Sequence, residues 1–398
     1  MMQYDFETVV KRKNIGSHKW DQMIKINSNI EDSIVPFSMA DMELKNAPEI
    51  VEGLKDYLDN TILGYTGATD TYYDSVIHWM ESKHHFSPKK EWFVEVAGVV
   101  PALRQMIAAF TEPGDAVLIM TPVYYPFKMV IESNQCNVVA TELIKKNNTY
   151  DINFNDFEEK AKKEEVKLLV LCSPHNPIGR IWTKEELLRI SEICLDNGVF
   201  ILADEIHFDI ILPGYQFVSM GTFDDKYLNN CAICTAPSKT FNLAGFQTSN
   251  IFISNKDMRD KVESAKGYHS LNIMGYKACE IAYTKCDKWL EELLVVIDTN
   301  KKYIEDFMAS KLPKIKVFEL QGTYLQWLDF NAIGMDCKEL ENFMQQEAQI
   351  FFDEGYIFGE GGCGFERINI ACPTWVIREA MDRLYTALLR AGKTLNLQ

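Results

Sequence analysis

With 57 acidic against 41 basic side chains and a net charge of −16, the chain repels nucleic acid and anionic membrane surfaces, and neither is expected as a partner. Its 398 residues suit two domains, or a large domain with a smaller one, and supply ample apolar content for a sizeable core. No basic segment followed by an apolar run opens the chain, no run nears the ~20 residues of a membrane span, and ten scattered cysteines read as reduced thiols, so a cytosolic protein is expected.

Residues 1 to about 45 read as an irregular arm. Ala47 to Leu58 follows as a helix, with Pro48 in its first turn and Ile50, Leu54 and Leu58 on one face. The turn Gly64-Tyr65-Thr66-Gly67 displays an aromatic ring, which either caps a packed turn or serves a site. His84 and His85 fall on a Lys-rich helix end expected to be solvated, and no zinc-type pairing of Cys with His is found.

Glu91 to Val96 reads as a strand, Gly98 as a turn, and Pro101 as the first residue of a helix. A strand, a glycine turn and a helix N-terminus offer free backbone N–H groups to a phosphate. Ala116 to Met120 is a short buried strand ending in the aromatic loop Thr121 to Phe127. Lys167 to Cys172 ends in Ser173-Pro174-His175-Asn176-Pro177-Ile178-Gly179, and Thr183 with Glu186 forms a capping box for the next helix. Val199 to Ala203 ends in Asp204-Glu205-Ile206-His207. Cys231 and Cys234 have redox spacing, but an apolar strand holds them and core packing is the expected role.

That strand delivers Ala236-Pro237-Ser238-Lys239-Thr240-Phe241, read as a small-residue loop. A lysine leaving a buried strand is desolvated, loses its proton more readily and becomes an amine nucleophile of the kind that forms Schiff bases. Strands alternating with helices predict an α/β fold with a mostly parallel sheet and helices on both faces. Ligands collect at the carboxyl ends of such strands, so these loops are expected to assemble one site. From about 285 the texture changes to a smaller α+β unit: a long helix from Trp289, strands at 315–318 and 324–330, and Arg367 in a final short strand, either ion-paired or awaiting an anion. The expected division is 1–45 as arm and part of the small domain, 46–284 as the large domain and 285–398 as the small domain.

Four segments in order, SPHNPIGR at 173–180, LADEIHFD at 202–209, APSKTFNLAG at 236–245 and ERINIACP at 366–373, resemble the fold-type I pyridoxal-phosphate enzymes of the aminotransferase class I/II superfamily. Within it the chain is similar to the cystathionine β-lyase-type C–S lyases, the MalY/PatB branch. The resemblance spans nearly the whole chain and implies pyridoxal 5'-phosphate as cofactor, held covalently by Lys239. It implies that Asp204 keeps the pyridine nitrogen protonated, that Asn176 bonds the ring hydroxyl, and that Tyr124, or its neighbour Tyr125, stacks on the ring. His207 stands where many relatives place a tyrosine that contacts the same hydroxyl; local packing is its alternative role. The N–H groups of Val99 and Val100, with Ser238, would hold the phosphate, joined by Tyr65 from the other subunit of a homodimer with shared sites. Arg367 would clamp the substrate carboxylate.

Gln247 replaces an arginine that many superfamily members use for the phosphate, a change the lyase branch shares. Phe37 to Leu44 departs from the branch's usual Trp-containing segment, and Thr374 stands in place of an arginine. Both departures bear on substrate preference. The implied reaction is α,β-elimination of cystathionine or cysteine-type amino acids to pyruvate, ammonia and a thiol, with Lys239 moving the α-proton. An aminotransferase with the same cofactor is the alternative, and a regulatory protein-binding role on a lyase scaffold is a third reading.

Overall fold

The computed structural model describes residues 2–266 and 271–393. Its strands, in chain order, are β1 (Phe93–Val96), β2 (Ala116–Thr121), β3 (Asn137–Glu142), a small hairpin β4 (Ile144–Lys146) and β5 (Thr149–Asp151), β6 (Val166–Cys172), β7 (Phe200–Asp204), β8 (Cys231–Thr235), β9 (Ser249–Ile253), β10 (Lys316–Val317), β11 (Leu325–Asp329), β12 (Asp353–Glu354) and β13 (Phe365–Asn369). Strands β7 and β8 are buried at every residue, and β6 at all but Lys167. Unbroken apolar runs suit strands covered by helices on both faces.

Seven strands form the main sheet in the order β1-β9-β8-β7-β6-β2-β3. Pairings from β3 through β8 are parallel, while β9 runs antiparallel to both β8 and β1. Two reversals restore the direction of β1, so β1, β2, β6, β7 and β8 all end at one edge. The helix Val99–Phe110 starts there, its first turn following Gly98 at φ +111°, a backbone geometry that favours glycine. A second, antiparallel sheet, β10-β11-β13-β12, is accompanied by the packed helices Asp287–Lys311 and Thr374–Arg390.

Four expectations need correction. The N-terminal stretch is not wholly irregular: His18–Ile26 is a helix whose Lys19, Trp20 and Met23 are buried. The stretch beyond it lies beside β13, with Phe37 N–H donating to Phe351 O and Asn369 N–H to Phe37 O. Lys239 sits on a short helix, Pro237–Thr240, started by a proline whose missing N–H costs nothing at a first helical position. His84 is not solvated: its Nε2 lies 2.7 Å from the buried Asp209 carboxylate, because the helix Asp70–His84 packs its end against the turn after β7. The cysteines are not all reduced. Cys337 and Cys363 form a disulfide, their Cα atoms 5.4 Å apart where the chain folds back before β13, and the other eight are buried free thiols.

Candidate active site

The five strand ends surround a cavity of about 640 Å³. Lys239, Asp204, Asn176, Tyr124, His207, Val99, Val100, Ser238 and Arg367 all line it, so nine of the ten residues singled out in the sequence come together. Tyr65 does not. Its side chain is fully exposed, away from the cavity of its own chain.

Lys239 enters from the end of β8, and its Nζ donates to the carbonyl of Ala40 at 2.7 Å. Burial pushes its ammonium down to about 8; the nearby Asp41 carboxylate partly opposes that, and Arg367 adds to it. A larger neutral fraction near neutral pH is what a nucleophilic or proton-accepting lysine requires.

Asp204, at the last residue of β7, faces the same space. Desolvation pushes its carboxyl up to about 6, against the pull of the Ile206 N–H at 3.2 Å and of Lys239. Its only hydrogen-bond donor among the described residues is that one N–H. Such a carboxylate is matched to a cationic ligand. His207, buried, is held neutral by desolvation, and its Nδ1 has no hydrogen-bond partner among the described residues. Its ring meets Tyr324 edge-on at 5.8 Å.

Arg367 is fully buried in β13, directly opposite Asp353 of β12 in the strand register. Its Nη1 donates to Asn176 Oδ1 at 2.8 Å and its Nη2 pairs with Asp353, while Nε has no hydrogen-bond partner among the described residues. The sequence left ion pairing and anion binding open for this residue, and the structure shows the ion pair. Asn176 is thereby oriented with its amide nitrogen free of the arginine. Tyr124 donates its backbone N–H to Asn176 O and packs its ring edge-on against Phe127 at 5.7 Å. Gln247 also lines the cavity.

These features fit pyridoxal 5'-phosphate. The cavity wall carries an amine, a desolvated carboxylate and a neutral imidazole with an unpartnered Nδ1 among the described residues. A glycine-led helix N-terminus offers the Val99 and Val100 N–H groups to a phosphate.

Sequence reasoning missed four participants. Tyr324 donates its hydroxyl to Ala40 O at 2.9 Å, the carbonyl that also takes Lys239. Asp41 and Arg12 line the cavity and pair with each other at 2.7 Å. Asp353 neutralises Arg367. Asp41 lay within the segment singled out for its odd spelling; nothing in the sequence marked the others. Among the described residues, no group of three or more His, Cys, Asp or Glu is placed to hold a metal ion, and no helix is long and apolar enough to cross a membrane.

The cystathionine β-lyase PatB of Bacillus subtilis is 36% identical over 96% of this chain and all of its own length. Protein MalY of Escherichia coli is 29% identical over 97% of this chain and 99% of its own length. Cystalysin from Treponema denticola, whose crystal structure contains pyridoxal 5'-phosphate, superposes with a TM-score of 0.96 at 47% identity, covering 98% of this chain and all of that one. A C–S lyase from Staphylococcus hominis, bound to pyridoxal phosphate and complexed with L-cycloserine, superposes with a TM-score of 0.91 at 28% identity, covering 97% and 98%. Residues 34–384 match the family described as aminotransferase class I and II, and the chain belongs to that family.

Proposed function

We propose that this protein is a pyridoxal-phosphate-dependent C–S β-lyase, cleaving cystathionine or cysteine-type amino acids to pyruvate, ammonia and a thiol. The observation that carries the reading is the convergence of Lys239, Asp204 and Arg367 on one cavity at the sheet's carboxyl edge. The kinship with PatB and the Staphylococcus hominis C–S lyase narrows the reaction within the family.

When bound, pyridoxal phosphate supplies an electron-accepting ring for the charge left as an amino acid loses its α-proton. Lys239 accepts that proton and is suited to it by its lowered pKa. Asp204 holds a proton on the ring nitrogen, a cation that relieves its own desolvation. Asn176 and His207 would bind the ring hydroxyl, Tyr124 would stack on the ring, and Ser238 with the Val99 and Val100 N–H groups would hold the phosphate. Arg367 binds the substrate carboxylate.

The working form is a homodimer. Val51, Leu58, Ile62, Leu63 and Tyr65 are large apolar or aromatic residues between 39 and 104% exposed, all within 15 residues, a density that marks a docking surface. A second subunit covering it lets Tyr65 reach the neighbour's phosphate. The division into a large unit (46–284) and a small unit (285–398, with the arm) places the lysine on the first and the arginine on the second. A cytosolic enzyme is the reading favoured by eight buried free thiols against one disulfide, Cys337–Cys363.

Product analysis with cystathionine tests the reaction. Pyruvate and a thiol in equal amounts, with no added amino acceptor, are expected. Product that forms only with an added keto acid would establish the aminotransferase instead.

A further inference from the structure

One carboxylate oxygen joins the arginine to the lysine. Asp353 Oδ2 accepts from Arg367 Nη2 and also from the backbone N–H of Met39 at 2.8 Å. Met39 is held at φ +57°, in the left-handed region that a side chain with a Cβ adopts only under constraint. Its carbonyl is fixed in turn by Asn369 Nδ2 at 2.8 Å. The next carbonyl, Ala40 O, accepts from Lys239 Nζ at 2.7 Å and from Tyr324 at 2.9 Å. A continuous path therefore runs from the Arg367 guanidinium through Asp353 and the Met39–Ala40 peptide to the Lys239 amine, joining groups separated by as many as 328 positions in the chain.

We propose that Asp353 is a positioning residue: it holds Arg367 ready for a carboxylate and fixes the Met39–Ala40 peptide that receives Lys239. The proposal rests on the reading of Arg367 as the carboxylate clamp. Asp353 faces the cavity with its side chain 13% exposed, so it is no remote core pair. Its charge compensates a buried guanidinium whose other contacts are neutral, the Asn176 amide oxygen and the face of the Phe358 ring 4.8 Å away. An incoming carboxylate must therefore bind beside a negative charge already present. That arrangement weakens binding of every amino acid, and in return keeps the fork aligned and the lysine's acceptor in place.

Asp353→Asn keeps an oxygen acceptor for Met39 and removes only the charge, whereas Asp353→Ala removes both. The cofactor-loaded enzyme is titrated spectrophotometrically with L-alanine, which carries no sulfur to eliminate, and the pH midpoint of the lysine–cofactor absorbance band is measured without amino acid. The expected result is a three- to tenfold tighter dissociation constant in Asp353→Asn with the pH midpoint unmoved, and a displaced midpoint in Asp353→Ala. Unchanged or weaker alanine binding in Asp353→Asn overturns the proposal, as does a parental midpoint in a folded Asp353→Ala. If Asp353→Ala fails to fold, Asp353→Asn decides alone. Arg367→Gln separates the two readings. A large loss of alanine binding there upholds the clamp whatever Asp353 does, while binding within twofold of the parent removes the clamp and this proposal with it.

Discussion

Two groups of charges adjoin the same short backbone stretch, Lys19 bonding the Asp41 carbonyl and Lys239 the Ala40 carbonyl, and they are treated oppositely. On the side of the N-terminal stretch, Lys19, Arg12, Asp41 and Glu43 pair among themselves: Lys19 Nζ lies 3.1 Å from Glu43 and 3.3 Å from Asp41, Arg12 reaches both acids, and Trp20 Nε1 adds a donor to Glu43 at 3.1 Å. On the side of the sheet edge, Lys239 and Asp204 are desolvated with few partners, and each is pushed toward its neutral form. Burial alone is common to both groups. Compensation divides them: satisfied charges hold a shape, while unsatisfied ones are available to a ligand.

The largest expected effect comes from the uncompensated side. Asp204→Asn should fold and still lose at least about 100-fold in kcat/KM, since an amide cannot hold the ring nitrogen protonated and an ion pair in a dry site is worth several kcal/mol. Stability should move the other way. A carboxyl raised from its ordinary value to about 6 binds protons more tightly folded than unfolded, so the cofactor-free parent loses stability as pH rises from about 4 to 6. Cofactor-free Asp204→Asn escapes that loss and should denature at higher urea than the parent at pH 7.5, the difference closing as pH falls toward 4. Activity within threefold of the parent would show Asp204 to be only structural.

Breaking the compensated side should do the reverse. Glu43→Gln keeps an acceptor for Trp20 but leaves Lys19 and Arg12 with one acid between them. A cost of about 2 kcal/mol in urea denaturation is expected, below the full penalty for severing a buried pair because Asp41 remains. The kcat should stay within about threefold. A variant as stable as the parent with a collapsed kcat would erase the contrast between the two groups.

The contrast also explains what was legible in the sequence. Strand ends show themselves, because an apolar run followed by polar and small residues announces both the buried strand and the loop at its carboxyl end. Lys239, Asp204 and Asn176 were found that way, and the resemblance to a known family placed Arg367 and Tyr124 among them. Compensation does not show itself. Whether Arg367 was paired or awaiting an anion depended on Asp353, 14 residues away and brought opposite by a strand of two residues, too short to carry a periodic signal. His84 looked solvated beside Lys83, since its partner Asp209 lies 125 positions on. The helix His18–Ile26 was missed because Ser17 caps it without a side-chain bond and its polar residues outnumber its apolar ones. For Arg367 and His84 the deciding contact was distant in sequence, while for the helix the local signal was weak.

The smallest expected effect tests whether the sheet-edge site is complete within one chain. Tyr65 is fully exposed and has no hydrogen bond from its hydroxyl among the described residues, so on its own chain it resembles neither group of charges. If its hydroxyl instead bonds the neighbour's phosphate, Tyr65→Phe removes one hydrogen bond to a charged group, about 1.5 kcal/mol, or roughly tenfold in cofactor affinity. Dialysis against cofactor-free buffer, followed by residual absorbance, measures it. Lysine chemistry should be unaltered, with borohydride still fixing the cofactor to the peptide that contains Lys239. Mixing Tyr65→Ala chains with Lys239→Ala chains, at a cofactor concentration too low to fill the Tyr65→Ala sites, then gives a geometric test. In a hybrid dimer one site takes its lysine from the first chain and its tyrosine from the second and carries neither lesion, while the other site carries both. Recovered activity, up to half that of a parental dimer per hybrid, is expected. Confirmed subunit exchange with no recovery would return Tyr65 to the role of an ordinary turn residue.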